Sequence, residues 1–318
     1  MMMLGLSGVV NSAQAAEKWN LYTHQYSPLF TTSRGADRLV ARVKELTDGE
    51  IDIRFHLAGT LQIETSGITQ AVSDSVIQMG DDLFYAGNIP IGAVLRLPFL
   101  VQSYDEFHKA AEILDPYVEK AYAEKGVTLL ASYTYPMQYA WGRVPINSLE
   151  DIEGLKIRVA APEQGEFVRR FGGSSVTMGV AEVTSALDRG MIDGVITAGL
   201  GAELWQDLLS YGYLIGLNYN NAYIIVNTSA FEGLSEELQG KIRQAAQEIA
   251  QWNLETMRDE DLDIIARLGA GHFTVVDATP EDKAKAAANM SDLWDEWAKA
   301  RGGDAPEALA RIREAVGR

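Results

Sequence analysis

Few side chains in this sequence are spaced for catalysis. The four histidines, His24, His56, His108 and His272, are scattered, and no two lie three or four residues apart. A single helix face therefore cannot present a pair of imidazoles to a metal, and each reads as a surface or core histidine. Asp81-Asp82 could chelate a cation, although an acidic pair more often belongs to a solvated loop or a cap. Gly199-Leu-Gly201 lacks the third glycine of a dinucleotide loop. No G-x-S-x-G, H-E-x-x-H, Walker or EF-hand pattern occurs. Cysteine is absent, which excludes disulfides, thiolate metal sites, cysteine nucleophiles and cysteine-held clusters. No cofactor or resident metal is implied, and catalysis is the weaker hypothesis.

Two uncharged, aromatic-rich segments point to binding instead. Gly126–Gly142 holds Tyr133, Tyr135, Tyr139 and Trp141, and Trp205–Phe231 adds Trp205, Tyr211, Tyr213, Tyr219, Tyr223 and Phe231. Together they carry 10 of the 28 aromatics in 44 of the 318 residues, more than a twofold enrichment. Tyr and Trp pair a flat apolar body with a polar tip, which suits a cleft for a small organic molecule. For any one tyrosine, packing in a sheet core is the commoner role.

The elements that must position such a cleft follow from periodicity. Trp19–Thr23 reads as a strand, Phe30–Leu46 as a helix stopped by Asp48-Gly49, and Ile51–Leu57 as an alternating strand. Thr65–Val72 reads as a helix, Val76–Met79 as a strand and Leu95–Leu100 as extended, since Pro98 disfavours helix before it. Asp105–Lys125 is an amphipathic helix and Val127–Ser132 a buried strand. The rhythm restarts after about residue 145: strands at Leu155–Val159, Ser174–Met178 and Ile192–Thr197 alternate with helices at Gly165–Phe171 and Glu182–Arg189. The pattern predicts α/β layers with largely parallel sheets and a second lobe built like the first. Ser235–Leu268 reads as one long helix capped by Ser235 and ended by Gly269-Ala-Gly271, long enough to lie across both lobes. Thr279-Pro280 opens another helix.

Charge and the first segment bound the setting. Net charge is −17, so nucleic acid and anionic lipid are poor partners. Residues 1–16 carry no charge, with an apolar run at Leu4–Val10 and a small-x-small pattern at Ala13-Gln14-Ala15. The expectation is a signal peptide over 1–16 lacking its basic front, with the mature chain starting near Ala16 or Glu17 in a bacterial periplasm.

Further motifs carry a family resemblance. Gly154-Leu-Lys-Ile-Arg-Val159 is followed by Met178, Glu182, Ala186-Leu187 and Gly190-Met-Ile-Asp-Gly194. Leu97-Pro-Phe-Leu100, Leu46-Thr-Asp-Gly49 and Leu57-Ala-Gly-Thr-Leu61 precede them. In order and spacing, from about residue 20 to 270, this resembles the DctP-type solute-binding proteins of tripartite ATP-independent periplasmic (TRAP) transporters. The resemblance implies a two-lobed fold with hinge strands and a long helix spanning both lobes. Lobe 1 would hold 17–135 plus about 223–262, and lobe 2 would hold 136–222 plus about 263–318. It also implies a monomer that closes on a small organic acid and delivers it to TRAP membrane permease subunits.

The resemblance further implies that Arg158 anchors a ligand carboxylate; the alternative is an ion pair with Asp151 or Glu153. Where relatives often carry a second arginine this chain has Gln138, and where they carry an asparagine it has Thr197. Gln25, Tyr26, Glu64, Asp82, Phe84, Val180, Trp205 and Asn221 fall near positions that line the cleft in relatives, and Trp141, with Tyr135, Tyr139 and Trp205, supplies flat apolar area for a ligand. Glu182 and Asp193 fit the motif and read as structural. With one cation and several aromatics, the expected ligand is a monocarboxylate with an apolar or aromatic body. The rival readings are an ABC-type periplasmic binding protein and, from another class, a periplasmic α/β hydrolase.

Overall fold

The computed structural model describes residues 16–83 and 85–318. The expected signal segment, apart from residue 16, and Phe84 lie outside the described residues. The chain runs β1 (Glu17–Thr23), α1 (Thr31–Leu46), β2 (Ile51–His56), α2 (Ile68–Ser73), β3 (Met79–Asp82), α3 (Tyr104–Ala123) and β4 (Val127–Tyr135). It continues with β5 (Tyr139–Gly142), β6 (Lys156–Val159), α4 (Pro162–Arg170), β7 (Ser174–Thr177), α5 (Val180–Asp188), β8 (Gly194–Thr197), α6 (Gly199–Glu203) and β9 (Tyr211–Leu214). It ends with β10 (Asn220–Asn227), α7 (Thr228–Glu232), α8 (Glu236–Ala270), β11 (Thr274–Asp277), α9 (Pro280–Arg301) and α10 (Ala305–Val316).

Two sheets form, in the orders β2-β1-β3-β10-β4 and β11-β9-β5-β8-β6-β7. Read from β7, the second sheet repeats the first: a parallel trio whose middle strand comes first in sequence, then a reversed strand, then a fourth forward strand. The reversed strands are β10, antiparallel to β3 and β4, and β5, antiparallel to β8 and β9. Each is the strand by which the chain enters that sheet from the other lobe. The expected doubling of the β/α pattern is present, and the sheets are mixed because each accepts one crossing strand.

The crossings are tied to each other. Gln138 N donates to Asn218 O at 2.9 Å, and Leu217 N donates to Gln138 O at 2.8 Å, so the two connecting segments pair where they pass between lobes. The Gln164 side chain on α4 donates to Asn218 Oδ1 at 3.1 Å and fixes this ribbon to the second lobe.

The third connection is α8. Its 35 residues would extend about 52 Å at 1.5 Å per residue. Ser235 Oγ accepts from Leu238 N at 3.3 Å, the expected cap. Ile242, Ala245, Ala246 and Ile249 join the first lobe's core with Leu21, Leu39 and Ile224, while Ile264 and Leu268 join the second lobe's core with Trp141 and Val195. Helix α10 packs on α3, with Tyr117–Glu307 and Lys120–Asp304 bonds of 2.8 and 2.7 Å, while Tyr213 of β9 bonds Asp282 of α9 at 2.8 Å. Residues 280–318 therefore touch both lobes.

Two local expectations differ from the structure. Leu95 and Arg96, expected to open the extended stretch Leu95–Leu100, instead end a 3-10 helix, Pro90–Arg96. Only Leu97, held in the β region by Pro98, fits the reading, and Phe99 takes φ +62°. The strand expected at Val76–Met79 instead begins at Met79. Ser75 sits at φ +60° and Val76 N returns to Ala71 O at 2.9 Å, so these residues close α2 and leave Val76 exposed.

Candidate functional site

Ligands in open α/β sheets bind outside the carboxyl ends of the parallel strands. Gln25 and Tyr26 follow β1, Glu64 follows β2, and Asp82 ends β3. In the second lobe Arg158 is on β6, Val180 follows β7, and Thr197 ends β8. The candidate residues thus gather at corresponding ends of the two sheets.

Arg158 dominates the second lobe. Its register on β6 sets it between Val176 on β7 and Val195 on β8. It is only 3% exposed. Nε and Nη2 both donate to Met178 O, at 3.0 and 2.9 Å, and the guanidinium carbon lies 5.9 Å from the centre of the Trp205 ring. No carboxylate among the described residues lies within ion-pair distance. Asp151, the proposed alternative partner, instead accepts the backbone N–H groups of Asn147 and Ser148 at 2.7 and 3.1 Å. Burial without a counter-ion pushes the guanidinium down to about 10. A cation withdrawn from water with no anion beside it is costly unless something arrives to pair with it. Nη1 has no protein partner among the described residues.

Around Arg158 the other expected residues divide. Thr197 stands opposite Tyr139 across β8 and β5. Gly201 is required beside it, because a Cβ there would come within 2.0 Å of Thr197 Oγ1. Gln138 is buried, its amide donating to Pro136 O at 2.8 Å, so it serves the crossing ribbon as well as its position. Trp141 is fully buried and its indole N–H donates to Thr197 O at 3.0 Å. It lies 5.9 Å from Phe273, edge to face, and offers no surface to a ligand in this arrangement. Trp205 is 3% exposed, packed beside the guanidinium, and Val180 is half-buried at the start of α5. Arg143, the other candidate cation, is exposed at the opposite end of β8, where its backbone N–H donates to Asp193 O and Nη1 donates to Leu187 O, both at 2.9 Å.

The first lobe contributes a polar network, with the buried Arg96 held on Leu83 and Asn221 beside it. Tyr135 Oη accepts from Gln25 Nε2 at 2.9 Å and meets His24 Nε2 at 2.8 Å and Thr32 Oγ1 at 3.2 Å. Behind it, Asp81 accepts from Thr23 Oγ1 at 2.7 Å and from Tyr133 Oη at 2.5 Å. The acidic pair is therefore no solvated loop: Asp81 and Asp82 are 5% and 1% exposed inside β3. Asp82 accepts from the Thr69 hydroxyl. Asn221 is buried on β10, where it receives Arg96 Nε at 3.2 Å and donates to Gly92 O and Tyr223 Oη at 3.0 and 2.7 Å, which marks it as a strut of the lobe. Tyr26 is 53% exposed against Phe30, and Glu64 is exposed.

Sequence reasoning missed Asp261. It is 3% exposed on α8 while the next residue, Leu262, is 59% exposed, the reverse of what residue type predicts. Its carboxylate accepts Leu200 N at 2.8 Å at the start of α6, and burial raises it to about 7. The apolar Leu262 and Ile265 suggested a neighbouring register for this end of the helix; the buried face instead runs through Asp261, Ile264 and Leu268. Among the described residues no group of three His, Asp or Glu could hold a metal, and no helix is long and apolar enough to cross a membrane.

Residues 22–300 match the DctP family, bacterial extracellular solute-binding protein family 7. The chain belongs to this family. Relatives place it among TRAP solute-binding proteins. It is 25% identical to the 2,3-diketo-L-gulonate-binding periplasmic protein YiaO of Escherichia coli, over 82% of this chain and 81% of that one. It is 26% identical to the ectoine-binding periplasmic protein TeaA of Halomonas elongata, over 77% and 72% respectively. Among solved structures, a Bordetella pertussis extracytoplasmic solute receptor binding pyroglutamic acid, DctP6, superimposes with a TM-score of 0.86 at 24% identity, covering 94% of this chain and all of that one. A TRAP solute-binding protein from Roseobacter denitrificans with bound β-D-glucuronate gives a TM-score of 0.83 at 24% identity, covering 93% and 99%. This TRAP solute-binding protein is therefore a receptor rather than an enzyme, which sets aside both the ABC-type and the hydrolase readings.

Proposed function

We propose that this TRAP solute-binding protein captures a small monocarboxylate in the periplasm and presents it to an ion-gradient-driven TRAP permease. One observation carries the ligand class: Arg158 is buried without a counter-ion and keeps Nη1 free for a carboxylate. A guanidinium takes a carboxylate in two parallel hydrogen bonds, which fixes orientation as well as charge. A second carboxylate lacks the second arginine of relatives, because Gln138 stands in that place and Arg143 lies exposed at the other end of β8. The body of the ligand meets Trp205 and Tyr139, with Thr197 and Gln25 able to read a hydroxyl, keto or amide group. The pyroglutamic acid held by DctP6 has the single carboxylate this reading asks for.

The deciding experiment is a melting-shift screen of organic acids followed by calorimetric titration of matched pairs, including pyroglutamate, an aryl acetate and succinate. A melting shift with a monocarboxylate and none with succinate supports the reading. Tight succinate binding with no response to any monocarboxylate overturns the ligand class and leaves family membership intact.

A further inference from the structure

Arg158 has to be aimed before it can anchor anything, and among the described residues no side chain within bonding distance aims it. Both bonds that fix the guanidinium end on one backbone atom, Met178 O. They use the Nε edge of the fork, so only the Nη1–Nη2 end remains for a carboxylate. The direction in which that end points follows the tilt of the peptide plane joining Met178 to Gly179.

That plane is held from its other side. Gly179 N, the amide of the same peptide unit, donates to Glu182 Oε2 at 3.0 Å. Glu182 N returns to Gly179 O at 3.2 Å, and Met178 N makes a long bond of 3.4 Å to Val159 O. A carboxylate, one peptide unit and the guanidinium therefore stand in series. An amide whose N–H is engaged by an anion is a better acceptor at its carbonyl, since hydrogen bonds in a chain polarise one another. Gly179 gives no stiffness of its own, having no side chain to pack.

We propose that Glu182 is a positioning residue for Arg158, acting through the Met178–Gly179 peptide and not merely capping α5. This rests on the reading of Arg158 as the carboxylate anchor. Glu182 sits at the helix position three residues after the cap, where a carboxylate is an ordinary helix-starting group, so the two roles must be separated by a readout at Arg158 itself.

The test uses the full chain labelled with ¹⁵N. The Arg158 Nε–Hε signal is assigned by its loss in Arg158→Lys, and its exchange with water is measured without ligand. Glu182→Ala is expected to speed that exchange at least several-fold, while Glu182→Gln, which still reaches Gly179 N, stays near wild type. If Glu182→Ala fails to fold, Glu182→Asp, too short to reach, takes its place. Calorimetry with pyroglutamate and D-glucuronate should show about fivefold weaker binding in Glu182→Ala, the worth of one ordinary hydrogen bond. That loss should shrink in an Arg158→Lys background, because the two residues act in series. Unchanged Hε exchange in a folded Glu182→Ala protein overturns the proposal. If Arg158→Lys binds either acid as wild type does, the anchor reading fails, and the exchange measurement still decides whether Glu182 positions the arginine.

Discussion

Replacing Arg158 by methionine separates what this side chain does for the ligand from what it does for the fold. Methionine keeps most of the stem's volume and removes the charge. The guanidinium is 3% exposed, has no counter-ion among the described residues, and is pushed by burial well below its ordinary value, down to about 10. A fall of that size corresponds to roughly 3 kcal/mol of destabilisation of the charged form at 1.36 kcal/mol per unit, as an order of magnitude. Against this, the substitution strips two donors from Met178 O and leaves a carbonyl to rehydrate, about 1–3 kcal/mol. The two effects nearly cancel, so Arg158→Met should melt within a few degrees of wild type, or above it. Binding should behave differently. A carboxylate brought into the closed site without its partner loses about 3–5 kcal/mol, between one hundred-fold and several thousand-fold in Kd. The assay is a melting curve for the apo protein and a calorimetric titration with the acid that most stabilises wild type. Apo protein destabilised by more than about 3 kcal/mol would show that Arg158 is a structural tie. Binding retained within threefold would remove it from the site.

The same logic sets a pH dependence. Burial raises Asp261 to about 7 and Asp115 to about 6, both above the ordinary 3.8, so the folded state binds these protons more tightly than the unfolded state. Their stabilisation is complete below about pH 4 and is lost as pH rises to about 6 and 7, on the order of 4 kcal/mol at most for Asp261. Denaturant titrations of Asp261→Asn from pH 4 to 8 should therefore show a flatter profile than wild type, and an unaltered slope would contradict the assignment. Gly212→Ala should cost about 1–3 kcal/mol, because its Cβ would lie 2.5 Å from the buried Trp141 ring; a neutral melting temperature would mean that the ring moves freely. Small-angle scattering should give a smaller radius of gyration with saturating ligand, and an unchanged radius would count against lobe closure.

Much of this architecture is legible in the sequence because it rests on periodicity. Helix α8 and the strands Trp19–Thr23, Ile51–His56 and Lys156–Val159 bury alternate or helically spaced apolar residues, and the structure places them within a few residues of expectation. The crossings were harder to read. Tyr139–Gly142 and Asn220–Asn227 are buried on both faces, so neither shows the alternation that marks a half-exposed strand, and they stood out only as uncharged and aromatic. Val76 misled because a β-branched residue beside Ile77 suggests a strand, while Ser75 had already turned the chain. The polar parts of the site were the least legible. Arg158 could be singled out through its motif, but its hold on the Met178 carbonyl involves no side chain that a sequence can display. Asp81 and Asp261 are carboxylates at core positions, and residue type alone argues against burying either.

Two neighbouring residues of α8 face opposite duties. Glu260 takes the Thr31 hydroxyl and Arg34 on α1, and Asp261 takes Leu200 N on α6. Successive residues on a helix point about 100° apart, so an element of each lobe grips the same turn of one rod from a different side. Surface loops can lengthen or shorten with little consequence. A single residue inserted in α8 between its first-lobe core contacts and Glu260 would swing both grips round by more than a quarter turn and carry them away from α1 and α6. The chain between Ile249 and Asp261 is thus a measured length, and a deletion scan should find it among the least forgiving stretches of the molecule.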